Sequence, residues 1–158
     1  MKIGMIVHSH TGNTYSVARK LEEKLLMAGH SVRIEQIAPV GGEKTNERDT
    51  TKIQLITHPD LCRYDALIFC GPVRGASISP VLAACLAQVT SLKNKKVACL
   101  VTEAFPYPWM GGNRAVAQMK NICQSKGGEV CGTGIVNWMG KGREKRIANV
   151  IEDLSGLF

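Results

Sequence analysis

The sequence predicts an α/β domain in three layers, with a five-stranded parallel sheet between two layers of helix. Three observations carry this prediction. Short apolar runs alternate with segments of helical periodicity along the chain. Several of the runs are apolar on both faces, as strands buried inside a parallel sheet are. Glycine and proline stand at the junctions, where such units turn. A length of 158 residues suits one domain, since ~100–200 residues is usual, so residues 1–158 are read as a single unit. Apolar residues at 44% and charged residues at 21% are the composition of a packed globular chain.

The elements follow in order. Lys2 to Val7 is a short apolar run and reads as the first buried strand. Tyr15 to Ala28 has helical spacing, with Val17, Leu21, Leu25 and Ala28 on one face, and Gly29 is placed to end it. Ser31 to Ile37 alternates loosely, as a sheet-edge strand does. Tyr64 to Gly71 is strongly apolar and reads as the third strand. Ser79 and Pro80 suit the N-cap and first position of the next helix, whose apolar face is Val81, Leu82, Cys85, Leu86 and Val89. Val97 to Thr102 is the fourth strand. Val116, Met119, Ile122 and Cys123 then mark a helix that Gly127 and Gly128 stop. Val130 to Val136 is a weaker strand, and a last helix carries Ile147, Val150, Ile151 and Leu154. Between Ile37 and Tyr64 no helix is evident: Pro39 to Thr51 is polar and rich in breakers, and Lys52 to Thr57 alternates weakly enough for a short extra strand.

Composition excludes several classes. The longest apolar stretch, Pro80 to Ala87, is eight residues, against the ~20 that a membrane span needs. Ile3 to Val7 is too short for the core of a signal peptide. A soluble, cytoplasmic protein is expected, with no membrane partner. Of the six cysteines none is spaced C-x-x-C, and Cys70, Cys85, Cys99, Cys123 and Cys131 fall in apolar periodic segments, as reduced core residues do. The four histidines lack metal-ligand spacing, so no metal is expected. Net charge is +7; residues 1–60 hold 8 basic and 7 acidic groups, and residues 61–158 hold 12 and 6. That excess suits an anionic partner or a solvated surface, but no aromatic-basic motif points to nucleic acid.

In an open parallel sheet, ligands bind beyond the carboxyl ends of the strands, so the residues after each strand matter most. After the first strand comes Ser9-His10-Thr11-Gly12-Asn13-Thr14, leading into a helix. Three hydroxyls, a glycine that lets an anion approach the backbone, and a helix N-terminus make a phosphate cradle of neutral donors. The same residues also suit a plain capped turn.

The Ser-x-Thr-Gly-Asn-Thr turn resembles the FMN phosphate loop of the flavodoxin family. Strand spacing over nearly the whole chain, Tyr64-Asp65-Ala66-Leu67-Ile68 and the following Gly71-Pro72-Val73-Arg74-Gly75 are similar to that family as well. The resemblance implies a flavodoxin-like sheet of order 2-1-3-4-5 and FMN as cofactor. It further implies that Ser9, His10, Thr11, Gly12, Asn13 and Thr14 hold the phosphate. The loops after strands three and four, residues 72–76 (Pro72, Val73, Arg74, Gly75, Ala76) and 103–112, would frame the ring. In the second loop Glu103, Phe105, Tyr107, Trp109, Gly111 and Gly112 are the candidate contacts.

That second loop also argues from its own residues. Three of the eight aromatic side chains fall between Phe105 and Trp109, stiffened by Pro106 and Pro108. Rings left wet in a short polar loop want a cover, and a flat flavin is one. The alternative is that they pack on the sheet edge or form a dimer contact. Arg74 stands where flavodoxin-like proteins often carry an aromatic residue. Near the N1/C2-carbonyl side of a flavin it would stabilise the anionic reduced ring; otherwise it is a solvated surface cation. Glu103 could accept from flavin N3–H or cap the strand end. His8 is expected beside the strand end, and the His10 side chain toward solvent.

Other proteins of this fold are excluded by their motifs. Val7-His8-Ser9 and Cys70-Gly71-Pro72 lack a receiver domain's acidic residues, and no cysteine has an arginine six residues on, as a low-molecular-weight phosphatase requires. Gly132-Thr133-Gly134 lacks the last glycine of a Rossmann fingerprint, and Gly134 to Lys141 has five intervening residues instead of a P-loop's four.

The function read from the sequence is an FMN-binding electron-transfer protein. The alternatives are an NAD(P)H-dependent FMN-containing quinone or flavin reductase and a flavin-free interaction domain. The expected partners are a redox protein or NAD(P)H, with the chain a monomer or homodimer. No catalytic acid, base or nucleophile stands out.

Overall fold

The computed structural model describes residues 1–43 and 47–158. The elements are β1 (Lys2–Val7), α1 (Asn13–Met27), β2 (Ser31–Gln36), β3 (Ala66–Arg74), β4 (Ser77–Ile78), α2 (Pro80–Gln88), β5 (Lys96–Glu103), α3 (Gly112–Ser125), β6 (Glu129–Asn137) and α4 (Arg143–Ser155). The parallel strands run in the order β2-β1-β3-β5-β6, and β4 folds back antiparallel on the end of β3. Counted along the parallel strands alone, this is the expected 2-1-3-4-5 order.

Strand periodicity sorts the core into two layers. Ile3, Met5 and Val7 of β1 and Ile68 and Cys70 of β3 face Val17, Leu21 and Leu25 of α1 and Ile147, Ile151 and Leu154 of α4. Leu67 and Phe69, one residue out of phase, face the α2 and α3 side with Leu82, Leu86, Met119 and Cys123. Ala28, expected on the buried face of α1, is exposed and caps the helix end, because the chain leaves the helix at Gly29 with φ 91°. Ser79 and Pro80 cap α2 as expected, with Leu82 N–H donating to Ser79 Oγ at 3.3 Å. Cysteines 70, 85, 99 and 123 are buried and unbridged; Cys131 is only half-buried.

The connection from β2 to β3 has no α-helix among its described residues. Two 3₁₀ turns, Thr50–Lys52 and Leu61–Arg63, are each capped by an aspartate, Asp49 and Asp60. Ile37, Ile53 and Leu55 cover the sheet where a helix would otherwise lie. The extra strand expected at Lys52 to Thr57 is reduced to one antiparallel bridge, Pro39 to Leu55. Proline has no N–H to extend a ladder.

β3 runs further than expected, through Arg74, so that Pro72 to Arg74 are strand rather than loop. Gly75 (φ 57°) and Ala76 (φ 60°) make the two-residue turn into β4, both in the left-handed region that a type I′ hairpin requires. No described helix is long and apolar enough to cross a membrane.

Gly4 lies under the Tyr64 ring, where a Cβ would come within 2.5 Å of Cδ2. Tyr64 is pinned by its hydroxyl, which donates to Glu35. Gly4→Ala is therefore expected to cost about 1–3 kcal/mol through overpacking. The readout is a lower urea midpoint at unchanged m-value.

Candidate functional site

Strand order reverses between β1 and β3, so the crevice at their carboxyl ends is where this topology places a ligand. The turn out of β1 supplies its first wall. Gly12 adopts φ 92°, a left-handed conformation that turns the chain into α1. Ser9 Oγ accepts from Tyr15 N–H at 3.1 Å, and Thr14 Oγ1 lies 2.7 Å from Thr102 Oγ1 at the end of β5. Ser16 N–H is the first to find a backbone partner, Gly12 O at 2.9 Å. Among the described residues the amides of Thr11, Gly12, Asn13 and Thr14 have no acceptor. Four such N–H groups at a helix start, with open space beside Gly12, are donors that an anion could take. Thr11 is exposed, whereas the Thr14 hydroxyl is buried against Thr102 and fixes the first helical turn to the sheet.

The hairpin and the loop after β5 form the second and third walls, and they touch. A Cβ on Gly111 would lie 3.2 Å from both Val73 Cγ1 and Ala76 Cα. Glu103 organises this contact. Its Oε2 accepts from Gly112 N–H at 2.9 Å, capping α3, and its Oε1 accepts from Asn137 Nδ2 at 2.5 Å. The same Asn137 amide donates to Phe105 O at 2.9 Å. A Cβ on Gly112 would lie 2.7 Å from Glu103 Oε1, so only glycine lets the carboxylate reach that close. Glu103 thus caps the following helix rather than its own strand, and both its oxygens are engaged. Burial pushes its carboxyl pKa up, against the two hydrogen bonds that favour the charged form.

Tyr107 and Trp109 stack on each other, with ring centroids 5.5 Å apart and planes 5° from parallel. They do not pack back on the sheet: Phe105, Tyr107 and Trp109 are 53%, 54% and 72% exposed. The loop therefore presents aromatic faces at the rim of the crevice.

A polar cluster lies under the hairpin. His8, at the end of β1, is fully buried. Its Nδ1 is 2.6 Å from Ser79 Oγ, and its Nε2 is 3.0 Å from Glu43 Oε1. Burial holds its pKa below 6.5, Glu43 opposes this, and Arg74 and His10 add to the lowering. The carboxylate can only accept, so the neutral ring carries its proton on Nε2 and Nδ1 accepts from the Ser79 hydroxyl. This resembles a serine–histidine–carboxylate relay, but Ser79 is fully buried and caps α2, which bars it from attacking a substrate. Glu43 Oε2 also pairs with His10 Nδ1 at 3.4 Å, tying the β2–β3 connection to the cradle. The two histidines and Glu43 do not form a group that could hold a metal ion.

Sequence reasoning missed Glu43, Thr102 and Asn137. Thr102 and Asn137 had a readable signal, a polar residue closing an apolar strand. Glu43 had none, being one charge in a polar stretch.

Two outcomes follow from these contacts. Glu103→Gln is expected to destabilise by about 1–3 kcal/mol in denaturant titration, because a carboxamide oxygen can accept from only one of two facing donors and its NH₂ meets the other. For His8, the folded pKa lies below the unfolded one, so the unfolded chain binds more protons as pH falls. Its share of stability is whole above pH 6.5 and is lost as pH falls through the folded value; His8→Gln should flatten that slope in urea midpoints taken across this range.

Residues 1–140 match the family model described as NADPH-dependent FMN reductase. No curated protein sequence matches the chain. Among solved structures, flavodoxin 2 from Bacillus cereus is similar at TM-score 0.70 and 19% identity, covering 100% of both chains. A Streptococcus pneumoniae flavodoxin is similar at 0.69 and 17%, again over 100% of both. A Lactobacillus acidophilus flavoprotein solved in complex with FMN is similar at 0.68 and 16%, over 94% of this chain and 97% of that one. The family match over most of the length and the shared fold agree: the chain belongs to the NADPH-dependent FMN reductase family, FMN-binding proteins built here on the flavodoxin fold.

Proposed function

We propose that the protein is an NADPH-dependent FMN oxidoreductase that holds its flavin at the carboxyl ends of β1, β3 and β5. The observation that carries this is the run of four acceptor-free amides from Thr11 to Thr14, beside two loops that meet at Gly111. A phosphate ester suits that cradle, since each donor is neutral and no carboxylate belongs to the turn itself. The hydroxyl of Ser9 has its oxygen engaged by Tyr15 N–H and its proton free to donate.

When bound, FMN supplies the electron-accepting and electron-donating chemistry. The chain's own residues bind and orient. Thr11 to Thr14 anchor the phosphate, and Val73 to Ala76 with Phe105 to Trp109 bound the space for the ring. Glu103 and Asn137 hold the second of these loops in shape. Both Glu103 oxygens are committed to the protein, so the carboxylate acts as a positioning group rather than as a partner for the ring.

The second reading is a one-electron carrier, favoured by the likeness to proteins described as flavodoxins. Anaerobic stopped-flow mixing with NADPH separates the two. Bleaching of the flavin band at a saturable rate supports the reductase; no reduction by NADPH, with normal reduction by dithionite, supports the carrier.

The cradle has its own test. Thr11→Asp places a negative charge beside the phosphate and is expected to weaken FMN at least about tenfold, ~1.4 kcal/mol, in fluorescence-quenching titration. Riboflavin, which has no phosphate, should bind both forms alike.

A further inference from the structure

We propose that the cleft between the β3–β4 hairpin and the β2–β3 connection is a second ligand site, which takes the phosphate groups of an adenine nucleotide on Arg48 and Arg74. This rests on the reductase reading and adds where the nucleotide binds.

The cleft encloses about 710 Å³, within the ~300–1,000 Å³ range of organic-ligand sites. Arg48 and Thr50 come from the connection, Arg74 and Ser77 from the hairpin, and Ile53 and Ile78 give it an apolar floor. Among the described residues four charged groups line it, two of each sign, so net charge does not decide what binds. Engagement decides. Glu43 is held by His8 and His10, and the Glu47 carboxylate accepts from Asp49 N–H at 2.9 Å. The guanidinium groups of Arg48 and Arg74 make no ion pair or hydrogen bond among the described residues, and both residues are exposed. The hydrogen bonds to Glu43 and Glu47 hold the two carboxylates in place without cancelling their charge; the donors left for a ligand are two guanidinium forks whose geometry matches phosphate oxygens.

Position supplies the rest. Arg74 ends β3 on the hairpin that borders the expected flavin ring, and its charge is felt at His8 beside the cradle. The neighbouring Val73 lines the cleft and also reaches the loop after β5 at Gly111. A nucleotide held here by its phosphates thus lies alongside the flavin site and leaves the Thr11–Thr14 cradle clear. Phosphate could come from the 2′-position or from the pyrophosphate, and the test separates them.

FMN-loaded protein is titrated calorimetrically with 2′,5′-ADP and, separately, with 5′-ADP, for wild type, Arg48→Gln, Arg74→Gln and the double variant. Arg33→Gln, on exposed β2, is the control. Each single variant should weaken the preferred nucleotide by ~10-fold or more, the loss expected for one charge-assisted phosphate contact. The double variant should abolish measurable binding, and Arg33→Gln should leave it unchanged. Preference for 2′,5′-ADP assigns the arginines to the 2′-phosphate; preference for 5′-ADP, the one of the two that carries a pyrophosphate, assigns them to that group. Wild type that binds neither nucleotide, or a double variant that binds as wild type does, overturns the proposal. A parallel stopped-flow arm with NADPH keeps the two readings apart. Nucleotide binding that depends on the arginines, without flavin reduction, retains the site and removes the reductase reading. Equal reduction of wild type and double variant retains the reductase and removes the site.

Discussion

A parallel strand that feeds a helix leaves the helix's first amides without partners, and the rest of this site is arranged around that fact. In β1–α1 those amides belong to Thr11, Gly12, Asn13 and Thr14. Left-handed Gly12 makes the turn tight, Ser9 satisfies Tyr15 N–H, and Thr14 is fastened to Thr102 on β5. The unpaired donors are therefore held by the sheet and not by a mobile loop, which is the preorganisation that anion binding needs. An anion bound there would be attracted by oriented peptide dipoles and not by lysine or arginine, so its binding should be less sensitive to salt than an ion pair at the surface.

The remaining walls are fixed by buried polar contacts. Glu103, Asn137 and Gly112 tie β5, β6 and α3 together at one point, and Arg146 of α4 donates to Asn137 O at 2.8 and 3.0 Å. The loop carrying Phe105, Tyr107 and Trp109 is thus braced from beneath while its aromatic faces stay exposed. On the other side, His8 links α2 through Ser79 to the β2–β3 connection through Glu43. Each network is satisfied: no buried side-chain nitrogen or oxygen among the described residues lacks a partner. In a low-dielectric interior an unsatisfied member would cost about 1–3 kcal/mol.

How much of this was legible depended on range. β1 was readable residue for residue, and α1 from Tyr15 to Met27, because apolar period and a terminating glycine are local signals; its first turn, from Asn13, was not. The turn from Ser9 to Thr14 was readable for the same reason, being six consecutive residues between a strand and a helix. The hairpin was not: Pro72 and Gly75 look like loop residues, and only the pairing of Val73 with Ile78 makes them strand and turn. Asn137 lies 34 residues from Glu103, and Glu43 lies 35 from His8; contacts at such separations leave no periodic trace. The lack of an α-helix among the described residues between β2 and β3 was readable, but the cover that Ile53 and Leu55 provide required the fold. Stacking of Tyr107 on Trp109 was likewise hidden, since two residues' spacing in a proline-stiffened loop does not fix where the rings point.

The most direct test of the central claim watches the amides themselves. In ¹⁵N–¹H correlation spectra of the apoprotein, FMN should move the amide protons of Thr11, Gly12, Asn13 and Thr14 downfield, as hydrogen bonds to a phosphate do, while riboflavin shifts the hairpin and the 103–112 loop and leaves those four in place. Identical shifts with both ligands, or four amides unmoved by FMN, would contradict the account.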